Sequence, residues 1–330
     1  MKKKLINNPE QVVEEMIEGI VMATPDKLKK LDDYNIVVRK DKKEGKVALV
    51  SGGGSGHEPA HAGYVGAGML DAAVAGDVFT SPTPDAVFEA IKAVDTGNGV
   101  LLVVKNYTGD IMNFEMAAEM AEAEGIEVDH VVVNDDVAVE DSLYTTGRRG
   151  VAGTIFVHKI AGAKAAAGAD LAEVKATAEK VIDNVRTKGM ALYPCRVPAA
   201  DESTFSLAED EIELGIGIHG EPGTERTELM EADQIVEELL NSVLEDLPYA
   251  EGDNVALMIN GMGGTPLMEL FLANRKANQM LQDKGIKIEK TFVGEYMTSL
   301  EMAGVSITLL KLDAELKELL AAATEIQIMK

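Results

Sequence analysis

Three short segments of this chain carry residue types that can bind and activate a small polar molecule. The first is Ser51-Gly52-Gly53-Gly54-Ser55-Gly56-His57-Glu58-Pro59-Ala60-His61, which reads as a tight turn after an apolar strand. Glycine has no Cβ, so a backbone this bare can pass close to a ligand. His57 is then delivered at the end of the run as a titratable group. The second is Lys105-Asn106-Tyr107-Thr108-Gly109-Asp110, which sets a cation and a carboxylate five residues apart. The alternative reading of that segment is a solvated turn capped by Asp110. The third, Leu214-Gly215-Ile216-Gly217-Ile218-His219-Gly220-Glu221-Pro222-Gly223, places His219 among glycines that expose its ring. An exposed imidazole can serve as a nucleophile or as an acid–base group.

Two familiar chemistries compete for the glycine run. A phosphate-binding P-loop needs Lys and Ser or Thr after its last glycine, where this chain has His57-Glu58. The dinucleotide pattern G-x-G-x-x-G also fails, because its last position falls on His57 or on Pro59. His57-Glu58-Pro59-Ala60-His61 matches the zinc signature H-E-x-x-H. That signature requires both histidines on one face of a continuous helix. Pro59 fits better as a first helical residue than inside a helix, which puts His57 before the helix and the two rings on different faces. No metal ligand set is assigned. Arg148-Arg149 can bind phosphate or make ion pairs within the fold. His130 and His158 lie in strand and helix patterns and are given structural roles, and Cys195 has no activating neighbour in sequence.

The elements that must position these groups alternate along the chain. Apolar runs at Val47–Val50, Val100–Val104, Val128–Val133, Val255–Ile259 and Ile286–Val293 read as buried strands. Helix-period segments are predicted at Met112–Ala123, Leu171–Val185, Leu229–Leu244 and Pro266–Leu281. A first amphipathic helix is predicted from an Asn8 cap with Pro9 at its first position. Continuous apolar strands alternating with helices indicate an α/β fold. We read a mainly parallel sheet with helices on both faces in the first domain, residues 1–190. A mixed sheet is read in the second, residues 191–330. The break is set by Pro194, Pro198 and the polar stretch Asp201–Thr204. The resemblance of Val47–Gly56 to Val255–Gly264 suggests a strand-to-glycine unit in each domain. Ligands of open α/β sheets bind beyond the carboxyl ends of strands, so Lys105 and Asp110 share a rim with His57 if their strands are neighbours.

Composition narrows the partners. The 330 residues carry a formal charge of −25, which argues against nucleic acid and anionic membranes. The one cysteine allows no internal disulfide, which fits a reducing, cytoplasmic setting. Acidic residues interrupt the segment after Met1-Lys2-Lys3-Lys4, so it does not read as a signal peptide.

Taken together, these segments resemble the dihydroxyacetone-binding K subunit of the dihydroxyacetone kinase family. The resemblance runs over nearly the whole chain. It rests on Ser51–His61, Phe79–Asp85, Lys105–Asp110, Asp135–Val139, Asp141–Gly150, Gly217–Gly223 and Gly263–Leu267. It implies that His219 adds to the substrate ketone and holds it as a covalent hemiaminal. It further implies that Gly54, Ser55, Gly56, His57, Lys105 and Asp110 line the substrate site. His57 and Asp110 share catalysis with His219, and which of the two takes the hydroxyl proton stays open. The chain ends at Lys330 without the all-helical nucleotide domain of the single-chain kinases. The resemblance is therefore to the stand-alone subunit of the phosphoenolpyruvate-dependent type. That implies no cofactor on this chain, with ADP and magnesium on a separate L subunit recharged by a phosphotransferase-system protein, and a homodimeric state. Transcriptional coactivators that bind dihydroxyacetone belong to the same family and supply the competing function.

Overall fold

The computed structural model describes residues 3–41, 44–140, 146–200 and 202–329. Residues 141–145 of the Asp141–Gly150 motif, and Asp201, lie outside them. Twelve strands form two six-stranded sheets among the described residues. The first contains β1 (Leu28–Lys30), β2 (Ile36–Arg39), β3 (Ala48–Ser55), β4 (Ala72–Val78), β5 (Val100–Lys105) and β6 (Val128–Val133), in the order β1-β2-β4-β3-β5-β6. The four strands β4, β3, β5 and β6 run parallel, and β1 and β2 close one edge antiparallel. The second contains β7 (Val185–Tyr193), β8 (Glu211–Leu214), β9 (Glu225–Glu228), β10 (Asn254–Gly261), β11 (Lys287–Gly294) and β12 (Ala303–Leu312), in the order β11-β10-β12-β7-β8-β9. Only β10 and β11 pair parallel in it.

The helices are α1 (Val12–Ala23), α2 (Pro84–Val94), α3 (Thr108–Ala123), α4 (Thr154–Ala166), α5 (Leu171–Asn184), α6 (Ala232–Asp246), α7 (Leu267–Asp283) and α8 (Ala314–Ala321). They sort into layers by the apolar faces they bury. α2 and α3 cover the outer face of the first sheet, and α6 and α7 that of the second. α1, α4, α5 and α8 share one core that reaches residues of both sheets. The two sheets are therefore joined through a common helical layer. Apolar burial of this extent is the dominant stabilising term.

The read boundary at residue 190 falls inside β7, which pairs along most of its length with β12 in the second sheet. The change of sheet comes where α5 ends at Asn184 and β7 begins at Val185, with no intervening loop. The first helix starts at Val12 rather than at Pro9. Asn8 instead closes a turn, its Oδ1 accepting from Glu10 N and its carbonyl from Gln11 N.

The glycine run is not a turn. β3 continues through Gly52, Gly53 and Gly54 to Ser55, paired with β4 to its end, while its pairing with β5 stops at Ser51. Glycine in a strand marks a close approach, and Gly53 shows what approaches. Its φ is +153°, and a Cβ there would sit 2.3 Å from Lys105 Nζ. Gly53→Ala is expected to push Lys105 off its partners and to lower unfolding free energy by about 1–3 kcal/mol. Urea denaturation checks this, and an unchanged midpoint would remove the packing role assigned to Gly53.

Candidate active site

β3 and β5 are neighbours, so their carboxyl ends deliver the first two segments to one rim. Lys105 is the last residue of β5, and Asp110 stands in the first turn of α3. Lys105 Nζ donates to Asp110 Oδ2 at 3.0 Å and to Gly52 O at 3.4 Å. Asp110 Oδ1 also receives the hydroxyl of Ser81. The Lys105 side chain is fully buried and that of Asp110 nearly so, which makes this pair costly to break. Asp110 nevertheless lines a cavity of about 600 Å³, together with Gly54, Phe79, Ser81, Tyr107, Thr108, Gly109, Val197, Thr204 and His219.

His219 reaches this cavity from the loop after β8. Its ring stands edge-on to three others: Tyr107 at 4.7 Å, His57 at 4.7 Å and Phe79 at 5.3 Å. Its Nδ1 lies 2.9 Å from Glu221 Oε1, and its backbone N–H donates to Glu221 Oε2 at 2.9 Å. Burial alone would protonate Glu221. Pairing with His219 and the field of Arg149 override that and hold its carboxyl at about 2. An ionised Glu221 can only accept, so Nδ1 carries the proton of this hydrogen bond, and in the neutral ring the lone pair is then on Nε2. Nε2 makes no hydrogen bond among the described residues. The arrangement presents a free imidazole nucleophile beside a carboxylate.

His57 is fully buried and lies stacked on Phe79 at 5.2 Å. Its Nδ1 donates to Thr298 O at 2.7 Å, so Nε2 is an acceptor, and it has no partner among the described residues. Burial, then the neighbouring charges of His219 and Lys105, hold this imidazole well below its ordinary range. Ser55 and Gly56 do not line the cavity. The Ser55 hydroxyl donates to Gly76 O at 2.7 Å, and Gly56 packs against Phe79 and Leu300 while donating to Glu58. Phe79, Ser81, Tyr107 and Glu221 line or orient the site, and the sequence reading does not single them out. All four stand inside segments quoted from the sequence, but nothing in a linear spacing tells which way they face.

His57 and His61 part company. His61 turns away to His158, with Nδ1 3.0 Å from His158 Nε2, and the described residues contain no cluster of three or more His, Cys, Asp or Glu able to hold a metal. Arg148 pairs with Asp246 and Arg149 with Asp136, so both guanidinium groups make ion pairs within the fold.

With this geometry in view, comparison with known proteins is decisive. The Dak1 domain model matches residues 18–328. The chain belongs to the Dak1 family. Its Dak1 relatives include the dihydroxyacetone-binding subunit DhaK of PTS-dependent dihydroxyacetone kinase 1 from Listeria innocua, 57% identical over 313 residues and 95% of each chain. The DhaK subunit of Escherichia coli is 44% identical over 337 residues, again covering 95% of each. Among solved structures, the dihydroxyacetone kinase of C. freundii aligns with TM-score 0.91 and 38% identity over 98% of this chain and 60% of that longer one. The dihydroxyacetone kinase operon co-activator DhaQ aligns with TM-score 0.90 and 38% identity, over 94% and 96%. Among the described residues of this Dak1 chain, no helix is long and apolar enough to cross a membrane.

The buried histidines give the Dak1 chain an acid sensitivity. His57 and His61 are held well below the ordinary value of 6.5, and His158 at about 3, chiefly by burial. The unfolded chain takes up these protons first. Stability is therefore complete above about pH 6.5 and is lost as pH falls toward the folded values. For His158 the loss is expected to reach about 2 kcal/mol by about pH 5, and His57 and His61 add to it in the same direction. Urea midpoints at pH 7 and 5 test it, with His158→Gln expected to shrink the difference and a flat profile counting against it.

Proposed function

We propose that this chain is the dihydroxyacetone-binding subunit of a phosphoenolpyruvate-dependent dihydroxyacetone kinase. The observation that carries the proposal is His219, its Nδ1 bonded to Glu221 and its ring lining the cavity that Asp110 also lines. Nε2 adds to the ketone carbon, the C=O π pair moves to oxygen, and that oxygen is protonated to a hydroxyl. The positive charge that develops on the ring faces the Glu221 carboxylate, and the His57 ring stands edge-on to it at 4.7 Å. Glycerol matches the triose in size but has no carbonyl, so the covalent step selects against it where pocket contacts alone discriminate poorly.

Phosphoryl transfer needs a terminal hydroxyl oriented and relieved of its proton as it attacks. Asp110 is the base in this reading, because it lines the cavity while His57 Nε2 is buried against His219. Lys105 and Ser81 fix the carboxylate. A cavity of about 600 Å³ exceeds a triose and leaves space for the phosphoryl group of an incoming donor. ADP and magnesium would reside on a separate L subunit, recharged by a phosphotransferase-system protein, and this chain would work as a homodimer. The test is a coupled assay of the purified chain with L subunit, the phosphoryl-donor proteins, phosphoenolpyruvate and dihydroxyacetone. Formation of dihydroxyacetone phosphate is expected. The likeness to the co-activator DhaQ favours a second reading, a dihydroxyacetone sensor. Binding of the triose without any product would select it.

A further inference from the structure

One buried cation close to the nucleophile enters the chemistry above only through its field on Glu221. Arg149 is fully buried and comes from the segment after β6, on the first-sheet side of the molecule. Its Nε donates to Asp136 Oδ2 at 2.8 Å, and its Nη2 donates to Gly215 O at 2.7 Å and to Asp136 Oδ2 at 2.7 Å. Asp136 is itself fixed by the backbone N–H of Ala138, and the next residue, Val137, donates its N–H to Thr187 O of β7. The remaining nitrogen, Nη1, is buried and has no hydrogen-bond partner among the described residues. It converges with the Glu221 carboxylate on Gly217: a Cβ at that position would meet Glu221 Oε2 at 2.0 Å and Arg149 Nη1 at 2.8 Å. Only glycine leaves room for both groups. Tyr107 Oη, from the residue whose ring edges His219, is also buried and unpartnered.

The consequence follows from where protons go. Glu221 is buried, and its hydrogen-bond partners are the His219 imidazole and the His219 backbone N–H; burial pushes such a carboxyl toward taking up a proton. A protonated Glu221 would donate to His219 Nδ1, the ring proton would move to Nε2, and the attacking lone pair would be lost. A permanent guanidinium charge converging on the same glycine opposes this and adds to the hold of His219, because the low-dielectric interior strengthens its field. We propose that Arg149, anchored by Asp136 and the Gly215 carbonyl, is a positioning residue for the nucleophile. It holds Glu221 as the anion that accepts the Nδ1 proton of His219, and so keeps the Nε2 lone pair free. The use made of that lone pair rests on the covalent reading above; the tautomer itself does not. In the addition, Nε2 bonds to the ketone carbon, the π bond breaks toward oxygen, that oxygen takes a proton from water, which leaves to bulk solvent as hydroxide, and the imidazolium Nδ1–H stays hydrogen-bonded to the Glu221 carboxylate. The charged or titratable groups facing this pair are Arg149, Asp136, His57 and Tyr107.

The test reads the tautomer directly, by 15N NMR of protein labelled in its histidines, and the adduct by 13C NMR of added [2-13C]dihydroxyacetone. The wild type should show His219 protonated at Nδ1 and the substrate carbon shifted from ketone to tetrahedral. Arg149→Met should show the Nε2–H tautomer near pH 7 and at least a tenfold loss of adduct. Raising the pH, which ionises Glu221, should restore both, and Arg149→Lys should keep part of the wild-type behaviour. An Arg149→Met protein with the Nδ1–H tautomer and full adduct at pH 7 overturns the proposal. If Arg149→Met does not fold, Arg149→Lys is compared alone and in a Glu221→Gln background. A residue that acts through Glu221 loses its effect there, whereas additive losses refute the relay. A wild type without tetrahedral carbon would sink the covalent reading, and the tautomer of the free protein would still decide the role of Arg149.

Discussion

His219→Ala is expected to remove the tetrahedral 13C signal of bound dihydroxyacetone and to lower kcat/KM in the coupled assay by at least about 10³-fold. The size follows from what the bond does. A triose offers few contacts, and an open cavity of about 600 Å³ cannot fix it by shape alone. A covalent bond to Nε2 removes the substrate's freedom before the donor arrives, an effect that can supply several kcal/mol of a barrier. Folding should survive, because the His219 side chain is partly exposed and its one polar anchor is Glu221 two residues away. The more telling consequence is selectivity. Wild-type protein should bind dihydroxyacetone and ignore glycerol, and His219→Ala should bind both weakly and alike. Retained discrimination in a folded variant would show that pocket contacts, not the carbonyl, choose the ligand.

The alternation of strands and helices is visible in the sequence because inner strands such as β5 and β10 are nearly continuous apolar runs. These two, and the edge strands β6 and β11, all lie within a few residues of their expected places. Elements without that signature escape. α4 is buried almost from end to end, so it shows no amphipathic period to read. β4, Ala72–Val78, is built largely of alanine and glycine, and β7 follows α5 with no turn residue to punctuate it. The glycine run reads as a turn because isolated glycine disfavours strands. Its reason lies in three dimensions, in the Lys105 ammonium that passes beneath it. The same limit applies to the site. His57, Lys105, Asp110 and His219 are conspicuous by type and glycine context. Glu221 and Ser81 become functional only through where their side chains fold back, onto His219 Nδ1 and Asp110 Oδ1, and no linear pattern encodes that.

Asp110→Asn separates the second half of the reaction from the first. The amide keeps the volume of the carboxylate and can still accept from Lys105, but it cannot take a proton. We expect the tetrahedral 13C signal to persist, because His219 and Glu221 are untouched, while kcat falls by about 10²–10⁴-fold, the usual range for loss of a general base. The buried Lys105 complicates the substitution: with its own side chain fully enclosed, it loses its carboxylate partner, and a broken buried pair can cost about 3–5 kcal/mol of stability. Thermal and urea unfolding must therefore accompany the kinetics. A variant that is folded under assay conditions, forms the adduct and does not turn over identifies Asp110 as the group that relieves the attacking hydroxyl of its proton. If such a variant turns over at the wild-type rate, the base is elsewhere, and His57 Nε2, the other unprotonated acceptor beside His219, becomes the group to replace. Opposite outcomes for the two variants, adduct lost in one and kept in the other, would assign capture of the ketone to the second-sheet loop and activation of the hydroxyl to the rim of the first sheet.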